Sequence, residues 1–428
     1  MSSRTFSGRP AARHGWAQAL AAVLGALITM GAVASLGLWA AGAGDLPGGS
    51  FPPVVAATVV AAVGGSVELS GDAGELAGTE GGLTVVPLSV TLVGALVVGR
   101  AFLRPLRHHA VAGAPELAGW AARIAALWLF ALLGLALAAR HTFELSLGDG
   151  PLGDLGDLFG IRPVVGFSTD VPPTVLVGLL WLAGVLVVSL LVSRGAPLPA
   201  GLLRFQTSAR PAAQAMVLLL LAAVVVCLVI ALVVAATRGH PAETFAVILL
   251  GLPNVAWLAL TIGLGATWDG RVEGPFGLPM PRVLDEVLRT PDVSALNLRT
   301  LTEHDGGRWW WLLVVDAVLL LAAASVTAAR SPARVPAWRH AARMAPALAS
   351  AVLMICLMVR ISARFGLSVL GIGDLGEGFS GQVLLRPRLW SALGLALLWG
   401  LVTGFAGALS ARGVRRRGGA ATRPRQEA

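Results

Sequence analysis

One acidic side chain lies inside an otherwise apolar run of the chain. Asp316 follows Trp309 by seven residues in the run Trp309–Ala329. A carboxyl group is costly in hydrocarbon, so such residues usually face a bundle interior and bind a proton, a cation or a polar partner. Asp316 therefore predicts either a proton or cation site, or a structural hydrogen bond near the outer end of a helix.

A second unusual segment is the apolar run Thr244–Thr267. At its centre lies the motif Gly-Leu-Pro-Asn, whose last residue is Asn254. Pro253 removes a backbone donor and disfavours helix in the residue before it. Broken helices line the substrate path in many transporters. Asp316, Asn254 and Pro253 are therefore the candidate path-lining residues of a permease.

A Gly-x-Gly-Asp motif ends at Asp374 and resembles the signature of intramembrane aspartyl proteases, with Asp316 as the only partner acid inside a span. The chain has no Tyr and so lacks the Tyr-Asp partner motif of that class. The surrounding Gly-Asp-Leu-Gly also recurs at Asp154, which favours a structural turn. Motif searches find no other nucleophile, metal or phosphate-loop pattern, so we expect no catalytic residue, no cofactor and no metal.

Four arginines bracket two matching apolar stretches of 16 residues, between Arg123 and Arg140 and between Arg343 and Arg360. A helix of this length spans about 24 Å, which is short for a hydrocarbon core of about 30 Å. We expect the arginines to extend to the two headgroup layers and anchor the helices. The alternative is that arginines from the two matching stretches form an anion-binding pair across the axis that relates them.

The elements that carry these residues come in two diverged copies. The tripeptide ending at Arg123 recurs 220 positions later, as does Arg140, and the tripeptide ending at Trp181 recurs 218 positions later. Duplicated membrane units are common in transporters. We interpret residues 1–205 and 206–411 as two four-span repeats and 412–428 as a basic, disordered cytoplasmic tail.

The composition is that of a polytopic membrane protein. Hydrophobic residues make up 56% of the chain and charged residues 13%, with mean hydropathy +0.78. Soluble domains average about 25% charged residues. The net charge of +9 comes from arginines beside apolar runs, so the expected partner is the lipid bilayer and not nucleic acid.

We predict an all-α fold with eight spanning helices, because a span needs about 20 apolar residues. Thr244–Thr267 and the shorter run Pro52–Gly65 are interpreted as outer-face re-entrant or interfacial segments, although a simple crossing by Thr244–Thr267 remains the alternative. The eight spans are Trp16–Ala41, Leu83–Phe102, Leu117–Ala139, Val171–Ser193, Ala212–Ala236, Trp309–Ala329, Ala341–Val359 and Leu389–Ser410.

Arginine placement predicts the orientation of these spans. The two termini and the segments Arg100–Arg123, Arg194–Arg210 and Arg330–Arg343 hold 20 arginines and only two acids, whereas the intervening loops hold 12 arginines and 20 acids. Arginine-rich flanks stay in the cytoplasm. Both termini are therefore expected in the cytoplasm of a bacterium, and the acidic loops outside its inner membrane.

Three segments resemble the streptophobe family. They are the run Pro87–Leu96 with the Arg-Pro-Leu-Arg that follows it and ends at Arg107, the stretch Ala61–Gly65, and the Gly-Leu-Pro-Asn motif. These are hydrophobic membrane proteins of Streptomyces and related actinobacteria. The resemblance implies a membrane location and an actinobacterial source, and it assigns no functional residues.

Two functions fit the sequence. The first is a non-enzymatic membrane component that acts as a scaffold, a partner subunit or an envelope-stress protein, with another membrane protein or a second copy of the chain as the possible partner. The second is a permease for a small molecule or ion, with its path at the repeat interface. A permease predicts that Asp316 and Asn254 converge on a cavity, whereas a scaffold predicts a dry interface with locally bonded polar groups.

Overall fold

A computed structural model describes most of the chain, and helices dominate it. The described residues are 10–46, 49–72, 77–106, 114–144, 164–193, 200–237, 239, 241–273, 288–289, 294–304, 308–331, 336–369 and 381–421.

Within these ranges, nine helices are long and apolar enough to cross a membrane, which makes the chain a polytopic membrane protein. A shorter apolar helix (α2), a short polar helix (α8) and 3₁₀ turns at Ala43–Asp45 and Arg308–Trp310 complete the set. The helices are α1 Pro10–Ala40, α2 Phe51–Ala62, α3 Leu88–Leu106, α4 Ala114–Ala138, α5 Val171–Val192, α6 Ala200–Thr237, α7 Pro241–Gly263, α8 Leu298–His304, α9 Trp311–Arg330, α10 Ala337–Met358 and α11 Leu389–Ala421.

Eight of the nine long helices overlap the eight expected spans, and the ninth is α7. The expectation that Pro253 interrupts this segment is wrong, because α7 continues through the proline. At the other end of the chain, α11 extends to Ala421, and so includes part of the tail for which disorder was predicted.

The connections between helices form an antiparallel sheet of eight strands, in the order β3-β4-β1-β2-β7-β8-β5-β6. An all-α fold was expected, and the sheet differs from that expectation. Its strands give a weak sequence signal: β2 reads Ala-Gly-Thr-Glu-Gly-Gly-Leu-Thr, without alternating β-branched residues. The strands are β1 Val67–Asp72, β2 Ala77–Thr84, β3 His141–Glu144, β4 Val164–Thr169, β5 Trp268–Val272, β6 Ser294–Leu296, β7 Ile361–Val369 and β8 Gly381–Pro387.

The pairing register is the same in the two halves of the sheet. His141 pairs with Phe167 in the first half, and Ile361, 220 positions later, pairs with Leu385, 218 positions later. The pairs between β1 and β4 and between β5 and β8 agree in the same way, with offsets of 201 and 218. The halves meet where β2 pairs with β7.

The turn that ends α2 has the same form as the turn that ends α7. Gly64 and Gly265 both adopt positive φ, at 91° and 93°. The N–H of Gly64 donates to the carbonyl three residues before it, and the N–H of the following residue donates to the carbonyl five residues before it. Gly265 and the residue after it form the same two bonds. Both turns are Schellman-type helix ends, which need a residue without a Cβ at this position.

The last residue of α7, Gly263, lies close to the sheet, because the chain enters β5 five residues later. At the opposite side of the bundle, the Gln206 and Gln214 amides of α6 donate to carbonyls at the end of α5. From Gln214, α6 runs 23 more residues, or about 35 Å, which is enough to cross the bundle. The 23 residues of α7 are likewise long and apolar enough to cross a membrane.

Small residues bring α10 and α11 into close contact. A Cβ added at Gly400 would lie 2.5 Å from the Cα of Ala345, and one at Gly404 would lie 2.8 Å from the Cα of Ala341. The Gly-x-x-x-Gly step of α11 therefore serves a contact within the chain. Such approaches maximise van der Waals contact between helices in lipid, where burial gives little driving force.

Candidate functional site

Asp316 is buried at the point where α7 ends. It lies on the second turn of α9, and only 4% of its surface is exposed. Its carboxyl group packs directly against Gly263, so closely that a side chain at Gly263 would overlap Asp316 Oδ2. The same side chain would lie 3.2 Å from the carbonyl oxygen of Leu312. The glycine is thus required for α7 to approach α9.

The Oδ2 atom of Asp316 has no hydrogen-bond partner in the described part of the protein. A nearby polar pair is already occupied, since the Trp268 indole donates to the Thr261 hydroxyl at 3.0 Å. An unpaired carboxyl oxygen in a buried site can take up a proton or bind a small cation. Of the three predicted path-lining residues, Asp316 alone has this free capacity.

Asn254 joins the two halves of the molecule. Its side-chain oxygen accepts from the backbone N–H of Leu88 at 3.1 Å, and its amide nitrogen donates to the Val86 carbonyl at 2.9 Å. Both bonds reach the start of α3, in the first half of the chain. The amide therefore caps a helix N-terminus, where backbone N–H groups lack partners within the helix.

The hydroxyl of Ser89 bridges two backbone groups of α7 beside Pro253. It donates to the Ile248 carbonyl at 2.8 Å and accepts from the Leu252 N–H at 3.2 Å. These two backbone groups are four residues apart and would bond each other in an undisturbed helix. A hydroxyl from α3 is thus inserted into the α7 hydrogen-bond ladder, an arrangement that neighbouring helices provide for proline in membrane proteins.

The predicted path-lining residues do not come together in one place. Asn254 is nine residues before Gly263, the residue that contacts Asp316. On a helix this is a separation of about 13 Å. Pro253 is buried at the joint with α3. The described residues therefore show a joint in the middle of α7 and a buried acid at its C-terminal end.

Of the four predicted anchoring arginines, two lie inside helices and two lie just after helix ends. Arg123 and Arg343 are half-buried in the first half of α4 and of α10, whereas Arg140 and Arg360 are exposed and follow the ends of these helices. The Arg123 guanidinium packs beside Gly15 of α1, 2.9 Å from where a Cβ would lie. Asp154 and Asp374 lie outside the described residues.

A cavity of about 340 Å³ lies where the sheet meets the helices of the second half. The sequence analysis singled out only Arg360 among the residues that line it, because its walls come from segments far apart in the chain. The lining consists of Thr84, Cys356, Leu357, Arg360, Ile361, Ser362, Arg386, Pro387 and Leu389.

Comparison with known proteins finds no match: no protein-family model, no curated protein and no solved structure matches this chain. The resemblance to the streptophobe family therefore stays a prediction.

Proposed function

We propose that the protein is a non-enzymatic component of the bacterial cytoplasmic membrane that acts as a scaffold or partner subunit. In this proposal it consists of two four-span units of the streptophobe type with cytoplasmic termini. Eight helices cross the membrane, and α2 and α7 are re-entrant on the outer face. The eight-stranded sheet then covers the outer ends of the helices and is the surface available to a partner protein or a second copy.

The observation that carries this proposal is the joint between α3 and α7. A permease needs polar groups that substrate can reach, whereas the side chains of Asn254 and Ser89 are bonded to backbone groups across the two halves. Each hydroxyl or amide bond of this kind stabilises helix association in lipid by about 1 kcal/mol. The polar groups of α7 are thus used to hold the halves together.

The two-unit architecture rests on the matching strand registers and on the two equivalent helix ends at Gly64 and Gly265. The offset of 218 between β4 and β8 is the same in both strand pairs, as expected of a duplicated unit. Because each unit has four crossings, the two units have the same orientation, as in repeats related by an axis along the membrane normal.

A cysteine-labelling experiment separates this function from transport. In a variant with Cys227→Ala and Cys356→Ala, single cysteines are introduced as Asp316→Cys, Asn254→Cys and Gly251→Cys. We expect none of the three to react with a membrane-impermeant maleimide from either side, because Asp316 is buried and the proposal places no water-filled path along α7. Glu303→Cys, at an exposed position of α8, is the positive control.

Gly251→Cys keeps the experiment informative if loss of the Asn254 amide disturbs the fold. It lies in the same turn, and an added Cβ there meets only Asn254 Oδ1, at 4.0 Å. Labelling at both 251 and 316 would contradict the scaffold proposal, since it would require a water-filled path along α7.

The permease remains the second candidate because of one observation, the unpaired Oδ2 of Asp316. In this alternative Asp316 exchanges a proton or cation with the outer face. Labelling at 316 from the outer face, without labelling at 251, would favour it over the scaffold.

A further inference from the structure

We propose that the cavity at the sheet–helix boundary of the second half binds the phosphate headgroup of an anionic phospholipid. The polar part of its lining would hold the phosphate oxygens, and its apolar part would continue onto the lipid-facing helices. This site goes beyond the scaffold function and does not depend on it.

Two arginines form the polar wall of this cavity. Ile361 pairs with Leu385, and continuing the register by one residue places Arg360 opposite Arg386. Side chains at such positions have Cβ atoms about 5 Å apart. Neither guanidinium forms an ion pair with another described residue. Two neighbouring guanidinium groups repel each other unless an anion binds between them, and arginine is well suited to bidentate contact with phosphate.

A carboxylate close to this wall is already neutralised. Asp269 is the cross-strand neighbour of Arg386 on β5, but its carboxylate is bound by Arg388, with Arg388 Nε 3.0 Å from one oxygen. This hydrogen bond and the charge of Asp269 raise the pKa of Arg388 above its ordinary value. The group of Arg360, Arg386, Arg388 and Asp269 therefore keeps a formal charge of +2.

The other parts of the lining suit a lipid better than a free anion. Thr84 and Ser362 are paired across β2 and β7 and place two hydroxyl donors beside the arginines. Below them the cavity is bounded by Leu357 and Leu389, whose surfaces are 49% and 38% exposed on helices that face lipid. A headgroup in the cavity would thus leave its acyl chains against apolar helix surface, as at basic pockets between membrane helices.

The first half has the same backbone framework with the opposite charge. The positions that match Arg360, Arg386, Asp269 and Arg388 by strand register are Arg140, Ser168, Glu68 and Asp170. Their formal charges sum to −1, against +2 in the second half. The first half therefore provides a matched control in which an anion is not expected to bind.

The test measures thermal unfolding of the full-length protein in neutral detergent by tryptophan fluorescence. Phosphatidylglycerol at about 100 times its dissociation constant should raise the midpoint of the wild type by about 3 °C, the shift expected for a chain of 428 residues. The double variant Arg360→Gln/Arg386→Ser should lose this shift, whereas Arg140→Gln should keep it. Phosphatidylcholine and inorganic phosphate are the lipid and free-anion controls.

An unchanged shift in the double variant would overturn the proposal. An equal, arginine-dependent shift with inorganic phosphate would also overturn it, since the site would then bind a free anion and not a lipid. If the double variant does not fold, Arg386→Ser alone is used, because serine already occupies the matching position of the first half at Ser168. That variant should reduce the phosphatidylglycerol shift by half or more, and no reduction would contradict the lipid site.

Discussion

At the scale of single residues, sequence and structure agree that Asp316 is unusual and differ on why. The sequence shows an acid in an apolar helix, which by itself is consistent with transport or with a structural bond. The structure adds that Gly263 of α7 abuts the carboxyl group. The environment of Asp316 is thus created by a glycine 53 positions away, which no local motif reveals.

The first prediction concerns this contact. Gly263→Ala should lower the unfolding free energy by about 3 kcal/mol, the upper part of the range for overpacking a buried site, because the new methyl group overlaps Asp316 Oδ2. The measurement is thermal or denaturant unfolding in detergent. Asp316→Ala in the same background should restore part of the loss by opening space.

The control for this prediction is Gly251→Ala, also on α7. An added Cβ there has no neighbour closer than 4.0 Å, so the gain in helix propensity should leave stability equal or raise it by about 1 kcal/mol. Equal effects of the two substitutions would show that α7 does not pack on Asp316 as the structure describes.

Residues that interact only across the fold escaped the sequence analysis. Ser89 and Arg386 have ordinary neighbours along the chain, and each acquires its role from a partner on another element. Asn254 was singled out for its position beside a proline, yet its two partners at the start of α3 could not be inferred from that pattern.

At the scale of elements, α7 shows how proline is tolerated inside a membrane helix. Pro253 lacks the donor that would bond the Leu249 carbonyl, and the neighbouring Ile248 carbonyl and Leu252 N–H are bridged by the Ser89 hydroxyl. The helix is therefore continuous where the sequence predicted a break. Propensity describes an isolated segment, whereas a neighbouring helix can supply the missing hydrogen bonds.

The second element that permits a test is the contact between α10 and α11. Gly400→Ala should destabilise the protein by about 1–3 kcal/mol, because the added carbon would lie 2.5 Å from the Cα of Ala345, and backbone cannot yield as a side chain can. The change is measured as a lower unfolding midpoint in detergent.

Gly394→Ala, one and a half turns earlier on α11, is the matched control. A Cβ there has no atom within 4 Å, so stability should stay the same or increase. A larger loss from Gly394→Ala than from Gly400→Ala would contradict the described packing of the two helices.

At the scale of the whole molecule, the sheet decides how the helices are arranged. Strands from four separate connections pair in one sheet, so these connections must lie at one end of the bundle. The last turns of α3 and α9, which carry Arg104 and Arg330, then lie at the other end, which agrees with the asymmetry of charge in the sequence.

Reporter fusions test this arrangement. Alkaline phosphatase fused after Thr267 should be active and a fluorescent protein fused there should be dark, whereas a fluorescent protein at the C-terminus should be bright. The reason is that α7 is re-entrant in the proposed arrangement, so the segment after it stays outside the cytoplasm. The opposite pattern after Thr267 would mean that α7 crosses the membrane and would refute the span count of eight.

The sequence alone determined the properties that depend on composition and on local periodicity. Apolar runs longer than about 17 residues predicted eight of the nine long helices, because hydrocarbon thickness sets a minimum length that few other segments reach. The repeated tripeptides pointed to two similar units, and the same offsets reappear in the strand registers. Each of these signals lies within one short window of the chain.

Only the tertiary structure decided the sheet, the joint and the cavity. Short glycine-rich strands have little preference of their own and gain stability by pairing with partners that can be more than 200 residues away. The Ser89 insertion into α7 and the facing arginines at 360 and 386 likewise require two distant segments to meet. A linear sequence specifies such meetings only through the folded chain as a whole, since the free energy of each contact exists only after both segments are in place.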